Sequence, residues 1–173
     1  MLKDFSIKKY LNKKPPSDNS NTTKQEILEL TKIPIKERFV KEMDDGERCM
    51  QRIVGKDPLI GRLISESRPI IDKLKKHFNR PRPKVLAKKM GVKMKDIELK
   101  TMKTPSYPSG HSVQAYLMAL TLSDKYPKYR NKLMKAAKDI SYSRRVARAH
   151  YKSDSIFGEQ IGKDMYKHIK NKV

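Results

Sequence analysis

The pair His150 and Asp154 has the spacing that best fits catalytic chemistry in this sequence. The two residues lie four positions apart, one turn if the segment is helical. A carboxylate placed there can accept the Nδ1 proton of the imidazole and leave Nε2 unprotonated, as a nucleophile requires. Arg144 adds a planar fork of donors that suits phosphate oxygens. The alternative interpretation is a surface ion pair beside scattered arginines.

A second histidine, His111, follows Ser109 and Gly110 at the predicted start of a helix. Free backbone N–H groups and the positive end of the helix dipole make such a position favourable for phosphate. Gly110 lets the backbone approach a ligand closely, and Ser109 adds a hydroxyl donor. His111 is then placed to exchange a proton with the ligand. The alternative is an ordinary helix N-cap followed by an incidental histidine.

Two cations, Lys75 and Arg82, precede this segment at a spacing of seven residues. On a helix this spacing brings two side chains to nearly the same face, where both would meet one anion. Two unrelated surface cations are the alternative in a chain this basic. Lys73 and Arg80 have the same spacing, so the spacing by itself leaves both registers open.

Together the three segments resemble the type 2 phosphatidic acid phosphatase superfamily, which includes bacterial class A acid phosphatases and vanadium haloperoxidases. The family pattern is K-x6-R-P, then P-S-G-H, then S-R-x5-H-x3-D, and residues 75–154 contain every fixed position. The resemblance implies a metal-independent phosphatase that hydrolyses phosphate monoesters through a phosphohistidine. His150 would be the nucleophile, His111 the general acid and base, and Asp154 the residue that orients His150.

The resemblance also assigns the residues that bind the phosphoryl group, and it favours the first register over Lys73 and Arg80. These residues are Lys75, Arg82, Ser109, Gly110 and Arg144. Three cations and a helix N-terminus supply the positioning and charge neutralisation that phosphoryl transfer needs, so no metal or other cofactor is expected. Vanadate is expected to inhibit by occupying the same site.

The sequence also departs from the family and leaves alternatives open. Arg148 stands where the family often has glycine, and we expect it to crowd or recharge the rim of the pocket. A vanadate-dependent haloperoxidase, with His150 as the vanadate ligand, is one alternative function. A lipid or polyprenyl phosphatase acting at membrane surfaces is a second, and a non-catalytic nucleic-acid-binding protein is a third.

The composition predicts one globular unit with a strongly positive surface. The chain has 173 residues, 36% of them hydrophobic, and a formal net charge of +22. This charge attracts anions and favours a small phosphorylated substrate. It also predicts weak binding of nucleic acid or anionic membrane surfaces. The most apolar stretch, Ala115 to Leu122, is far shorter than the ~20 residues of a membrane span. Without an apolar leader, and with Cys49 as the only cysteine, the sequence favours the cytoplasm. Resemblance suggests a homodimer.

The elements that carry these residues are predicted to be helices, in an all-α, single-domain bundle. Residues 1–23 are predicted to form a flexible or loosely docked basic arm, and residues 24–173 the helical phosphatase domain. Asp57 and Pro58 have the pattern of an N-cap followed by an N1 proline. The predicted helices are a short one around Ile27, a longer one over 39–54, and then 58–64, 69–78, 85–90, 109–122, 129–146 and 153–169, with a loop over 91–107.

Overall fold

The computed structural model describes residues 1–173 and confirms the all-α prediction, since its regular elements are helices and it contains no strand. The α-helices are α1 (Asn21–Lys32), α2 (Glu37–Asp44), α3 (Gly46–Val54), α4 (Pro58–Phe78), α5 (Pro83–Lys89), α6 (Gly110–Lys125), α7 (Arg130–Val146) and α8 (Lys152–Ile169). Short 3₁₀ turns lie at Lys8–Tyr10, Lys100–Lys103 and Pro127–Tyr129.

Helix α6 forms the centre of the fold. Ten of its 16 residues are buried, because apolar and small residues occupy several of its faces. It packs mainly against α7 and α8, and α4 covers a further side. The N-terminus of this buried helix carries Ser109 and His111, so the fold fixes the position of the predicted phosphate cradle.

Two glycines bring α8 unusually close to α6. A Cβ atom on Gly158 would lie 2.6 Å from the carbonyl oxygen of Ser109, and one on Gly162 would overlap the carbonyl oxygen of Val113. The absence of both side chains therefore permits this approach. As a result, the first turn of α8 meets the start of α6, where the backbone N–H of Ser109 donates to the carbonyl of Asp154 at 3.1 Å.

Two predicted helix boundaries are wrong. Helix α4 continues through Pro69, although an internal proline removes one hydrogen bond and costs about 3 kcal/mol. Its buried residues continue from Leu63 past the proline to Leu74, and this apolar packing favours the uninterrupted helix. The predicted helix over 39–54 is divided at Asp45, whose carboxylate accepts from the backbone N–H of Arg48 at 3.0 Å and so caps α3.

The basic segment over residues 1–23 lies against the helical body. Leu2 and Tyr10 are buried, and the Tyr10 hydroxyl donates to Asp164 of α8 at 2.6 Å. The N-terminal ammonium group lies 2.6 Å from a carboxylate oxygen of Glu66 in α4. That residues 1–23 form a unit distinct from residues 24–173 stays a prediction. None of the helices combines the length and the apolar character needed to cross a lipid bilayer.

Candidate active site

His150 and Asp154 are in contact, but not as neighbours on one helix. His150 lies in the connection between α7 and α8, and Asp154 lies in the first turn of α8. The Asp154 carboxylate accepts from the backbone N–H of Tyr151 at 3.1 Å and so caps that helix. The same oxygen lies 3.0 Å from Nδ1 of His150. The local cap therefore places the carboxylate against the imidazole.

The contacts of His150 determine which nitrogen carries its proton. Nε2 lies 3.0 Å from Nη1 of Arg82, and a guanidinium group can only donate. Nε2 is therefore the acceptor, and the ring proton is on Nδ1, from which it is donated to Asp154. Burial lowers the pKa of His150 well below its usual value, and the charges of Arg82 and Lys75 lower it further. The arrangement holds a neutral imidazole with an unprotonated Nε2.

The structure distinguishes the two registers of the first segment. Helix α4 ends at Phe78, Asn79 has a left-handed backbone with φ 49°, and Arg82 precedes α5, so the seven-residue spacing is not a helical repeat. Lys75 and Arg82 nevertheless converge, since each donates to the hydroxyl of Thr104 at 3.3 Å. Lys73 is exposed. Arg82 contacts His150, and Lys75 lies beside it through the shared Thr104 hydroxyl, whereas their role in phosphate binding stays a prediction.

The three cations of the site donate to oxygens of residues 101–105. Lys75 donates to the carbonyl of Pro105 at 2.7 Å, and Arg82 to the carbonyl of Thr104 at 2.7 Å. Arg144 donates to the hydroxyl of Thr101 at 3.0 Å. Burial and the neighbouring Arg82 lower the pKa of Lys75 to about 7.

His111 lies at the start of α6 and contacts Asp44, the last residue of α2. Its Nε2 lies 2.8 Å from the Asp44 carbonyl oxygen, which can only accept, so Nε2 carries a proton. The Asp44 carboxylate also accepts from Arg144 at 2.8 Å. Burial and the charge of Arg144 lower the pKa of His111, while Asp44 opposes this.

Hydrogen bonds connect the two histidines across the site. From His111 the path runs through Asp44 and Arg144 to the Thr101 hydroxyl. The Thr101 carbonyl in turn accepts from Arg82, which contacts His150. The predicted residues thus form one connected cluster at the N-termini of α6 and α8.

Ser109 and Gly110 occupy the start of α6. Ser109 is buried, and its hydroxyl oxygen accepts from the backbone N–H of Ser112 at 3.3 Å, which caps the helix. A Cβ atom on Gly110 would lie 3.7 Å from the Cε of Lys75, so this glycine faces the lysine stem. The roles predicted for both residues in phosphate binding stay predictions.

Comparison with known proteins agrees with this geometry. The model of the PAP2 superfamily matches residues 63–163, more than half of the chain. The chain belongs to the PAP2 superfamily. Non-specific acid phosphatases of Salmonella typhimurium (strain LT2) and Salmonella typhi are each 35% identical to it over 88 residues. The match covers 51% of this chain and 35% of each relative, so the chain spans about a third of the relatives that it matches.

Arg148, the departure from the PAP2 pattern, does not crowd the pocket as predicted. Its backbone is left-handed, with φ 57°, a conformation that glycine adopts without cost. Its guanidinium group points to the end of α1 and donates to the carbonyls of Ile33 at 3.0 Å and Thr31 at 3.4 Å. The arginine therefore ties α1 to the connection that carries His150.

Several residues of this PAP2 site have no place in the sequence motifs. Asp44 joins His111 to Arg144, and it lies 67 residues from His111, so no local pattern reveals it. Arg80 appeared in the sequence only as an alternative phosphate ligand, whereas the structure pairs it with Asp154 at 2.7 Å. The sequence does indicate the close contact made by Gly158 and Gly162, since glycines four residues apart share one helix face.

Proposed function

We propose that this PAP2 protein is a phosphatase that hydrolyses small phosphate monoesters through a phosphohistidine on His150. The observation that carries the proposal is the state of the imidazole, which is neutral, unprotonated at Nε2 and surrounded by three buried or nearly buried cations. Arg82 contacts the candidate nucleophile, and the charges of Lys75 and Arg144 are close enough to lower its pKa. The net charge of +22 supports the choice of an anionic substrate.

In the first step, Lys75, Arg82 and Arg144 bind the equatorial phosphoryl oxygens together with the N-terminus of α6. Arg82 moves its Nη1 donor from His150 to the substrate and so frees the Nε2 lone pair. Nε2 forms a bond to phosphorus as the bond to the leaving oxygen breaks. Protonated His111 gives its proton to that oxygen.

In the second step, His111, now neutral, takes a proton from a water molecule. The water oxygen bonds to phosphorus, the N–P bond breaks, and inorganic phosphate and neutral His150 are released. His111 is again protonated, so the cycle closes without a cofactor. We also predict that the protein acts in the cytoplasm, binds polyanions weakly and forms a homodimer.

The pKa values of the two histidines support an acidic optimum. The cycle begins with His150 neutral and His111 protonated. Burial lowers the pKa of both, and that of His150 falls further because three cations surround it. The window between them lies below the usual histidine value, which predicts a bell-shaped profile below neutrality. A rate that rises continuously to pH 9 contradicts the proposal.

Hydrolysis of a chromogenic phosphate monoester tests the function. We expect His150→Ala to reduce kcat by about 10³-fold or more, and His111→Ala by about 10²- to 10⁴-fold. His168→Ala, in the last turn of α8, is the matched control and should retain full activity. Vanadate should inhibit, and a chelator should have no effect. Wild-type activity in His150→Ala refutes the assignment.

Trapping the intermediate tests the mechanism separately. After acid-free quenching, mass spectrometry should find a phosphoryl group on the peptide that contains His150. His111→Ala should accumulate this adduct from a substrate with a good leaving group, because hydrolysis of the N–P bond lacks its base. A phosphorylated serine or threonine in place of His150 contradicts the mechanism.

A further inference from the structure

A buried ion cluster lies behind the candidate nucleophile, on the side of Asp154 away from the three site cations. Arg80 is its centre, with a fully buried side chain. One end of the guanidinium group donates to Asp154 Oδ1 and to the Ser153 hydroxyl, each at 2.7 Å. The other end lies 3.3 Å from a carboxylate oxygen of Glu26 in α1. The guanidinium carbon lies 3.7 Å from the centre of the Tyr151 ring.

We propose that Arg80 is a positioning residue that keeps Asp154 ionised and oriented, so that His150 holds its proton on Nδ1, and that Glu26 fixes Arg80 for this task. This inference rests on the proposed function, in which His150 is the nucleophile. The PAP2 motif assigns Arg80 no role, and the sequence suggested only that it competes with Arg82 for phosphate.

The first step of the argument is the burial of Asp154. Its side chain is completely inaccessible, and a buried carboxylate without a cation takes up a proton. A protonated Asp154 can donate to Nδ1 of His150, which would then move the ring proton to Nε2 and block the nucleophile. Burial raises the pKa of Asp154, and Arg80 is the main group that opposes this rise.

The second step is the division of the two carboxylate oxygens. Arg80 takes Oδ1, whereas Oδ2 accepts from Nδ1 of His150 at 3.0 Å and from the Tyr151 backbone at 3.1 Å. Because each oxygen has its own partners, the carboxylate cannot rotate without losing several bonds. Arg80 therefore sets the orientation of Asp154 as well as its charge.

The third step is the placement of Arg80 itself. Glu26 accepts from the Ser153 backbone at 2.7 Å and from the Ser153 hydroxyl at 2.8 Å, so α1 holds the first turn of α8. The Tyr151 ring contacts the guanidinium group, and its hydroxyl donates to the Pro81 carbonyl at 2.9 Å. A planar fork fits this space, and an ammonium group would reproduce only the charge.

Kinetics of Arg80→Gln, Arg80→Lys and Glu26→Gln test the inference, with Arg38→Gln as the control because the Arg38 side chain is 93% exposed. We expect Arg80→Gln to lower kcat by about 10- to 100-fold, the usual effect of losing a partner that orients a histidine. KM should stay unchanged, since Arg80 does not touch the substrate. Arg80→Lys should recover part of kcat, and Glu26→Gln should give a smaller loss.

The pH profile separates positioning from a general structural effect. Protonation of the hydrogen-bonded His150–Asp154 pair produces the acidic limb of kcat/KM. Loss of Arg80 makes this protonation easier, so the limb should move to higher pH in Arg80→Gln. The limb should return towards the wild-type position in Arg80→Lys, which keeps the charge. An equal loss of activity at every pH overturns the inference, as does an Arg80→Gln variant with wild-type kcat.

A measurement that does not depend on activity distinguishes this inference from the proposed function. In ¹⁵N-histidine-labelled protein, assigned with His150→Gln, the nitrogen shifts should show the Nδ1–H form of His150 in the wild type. Arg80→Gln should move the equilibrium towards Nε2–H. If the wild-type protein is inactive but Arg80→Gln still changes the tautomer, the phosphatase proposal is refuted and the positioning role of Arg80 is supported. If the tautomer is unchanged in folded Arg80→Gln or Glu26→Gln, the positioning role is overturned.

Discussion

The close contact between α6 and α8 predicts that Gly158→Ala damages both stability and activity. The new Cβ would lie 2.6 Å from the Ser109 carbonyl oxygen and 3.0 Å from the Ser112 Cβ. Since ordinary contacts begin near 3.4 Å, the helices must separate by several tenths of an ångström. Overpacking of this kind costs about 1 to 3 kcal/mol, and the gain in helix propensity returns up to about 1 kcal/mol. The net loss should be about 1 to 2 kcal/mol.

This loss corresponds to a decrease in Tm of about 2 to 8 °C for a domain of this size, which calorimetry can measure. Activity should fall as well, because the displaced turn carries Asp154, and small misplacements of catalytic groups can cost up to about 10²-fold. Gly61→Ala is the matched control. Its nearest neighbour is a Glu47 oxygen at 3.9 Å, so it should raise stability by about 0.5 to 1 kcal/mol with full activity. Equal Tm changes in the two variants would refute the packing argument.

Three further predictions concern charged residues in and near the site. Asp44→Asn removes the carboxylate that opposes the lowered pKa of His111, so the alkaline limb of the kcat profile should move to lower pH; an unmoved limb would separate Asp44 from His111. Arg148→Ala should lower stability by about 1 kcal/mol in denaturant titrations and leave kcat unchanged, because its bonds go to α1. Tungstate should raise Tm more at pH 6 than at pH 8, since the pKa of Lys75 is about 7. The same rise in Lys75→Met would place the anion elsewhere on the basic surface.

The sequence predicts those parts of the fold that depend on local chemistry. The cap at Asp57 and the buried helix after Ser109 follow from neighbouring residue types. Pro69 misled the prediction because the local cost of a proline is smaller than the packing of a long helix face. The break at Asp45 has a capping residue as its signal, but that signal competes with a helical pattern running through it.

The residues that tune the candidate site are harder to predict, because their contacts are distant in the chain. Asp44 reaches Arg144 across 100 residues, and Arg80 reaches Asp154 across 74. Arg80 and Arg82 are two residues apart, yet Arg80 contacts Asp154 and Arg82 contacts His150. Residue spacing carries no information on this difference. Arg148 shows the same limit, since its left-handed backbone turns the side chain away from the pocket.

Cations lie on both sides of the His150–Asp154 pair, three beside His150 and one, Arg80, beside Asp154, and each side has its own effect. In the proposed mechanism Lys75, Arg82 and Arg144 lie on the substrate side of His150, and they lower its pKa. The charges proposed to bind a phosphoryl group therefore also keep the proposed nucleophile unprotonated. In the free protein, the Arg82 donor at Nε2 also favours a proton on Nδ1. Once a substrate has taken that donor, the proton is held on Nδ1 by an anion on the opposite side of the ring. Asp154 supplies that anion, and a further cation behind it, Arg80, is the main group that offsets the cost of its burial. The ring nitrogens therefore face opposite charges, and the Nδ1–H form of His150 is the form that satisfies both.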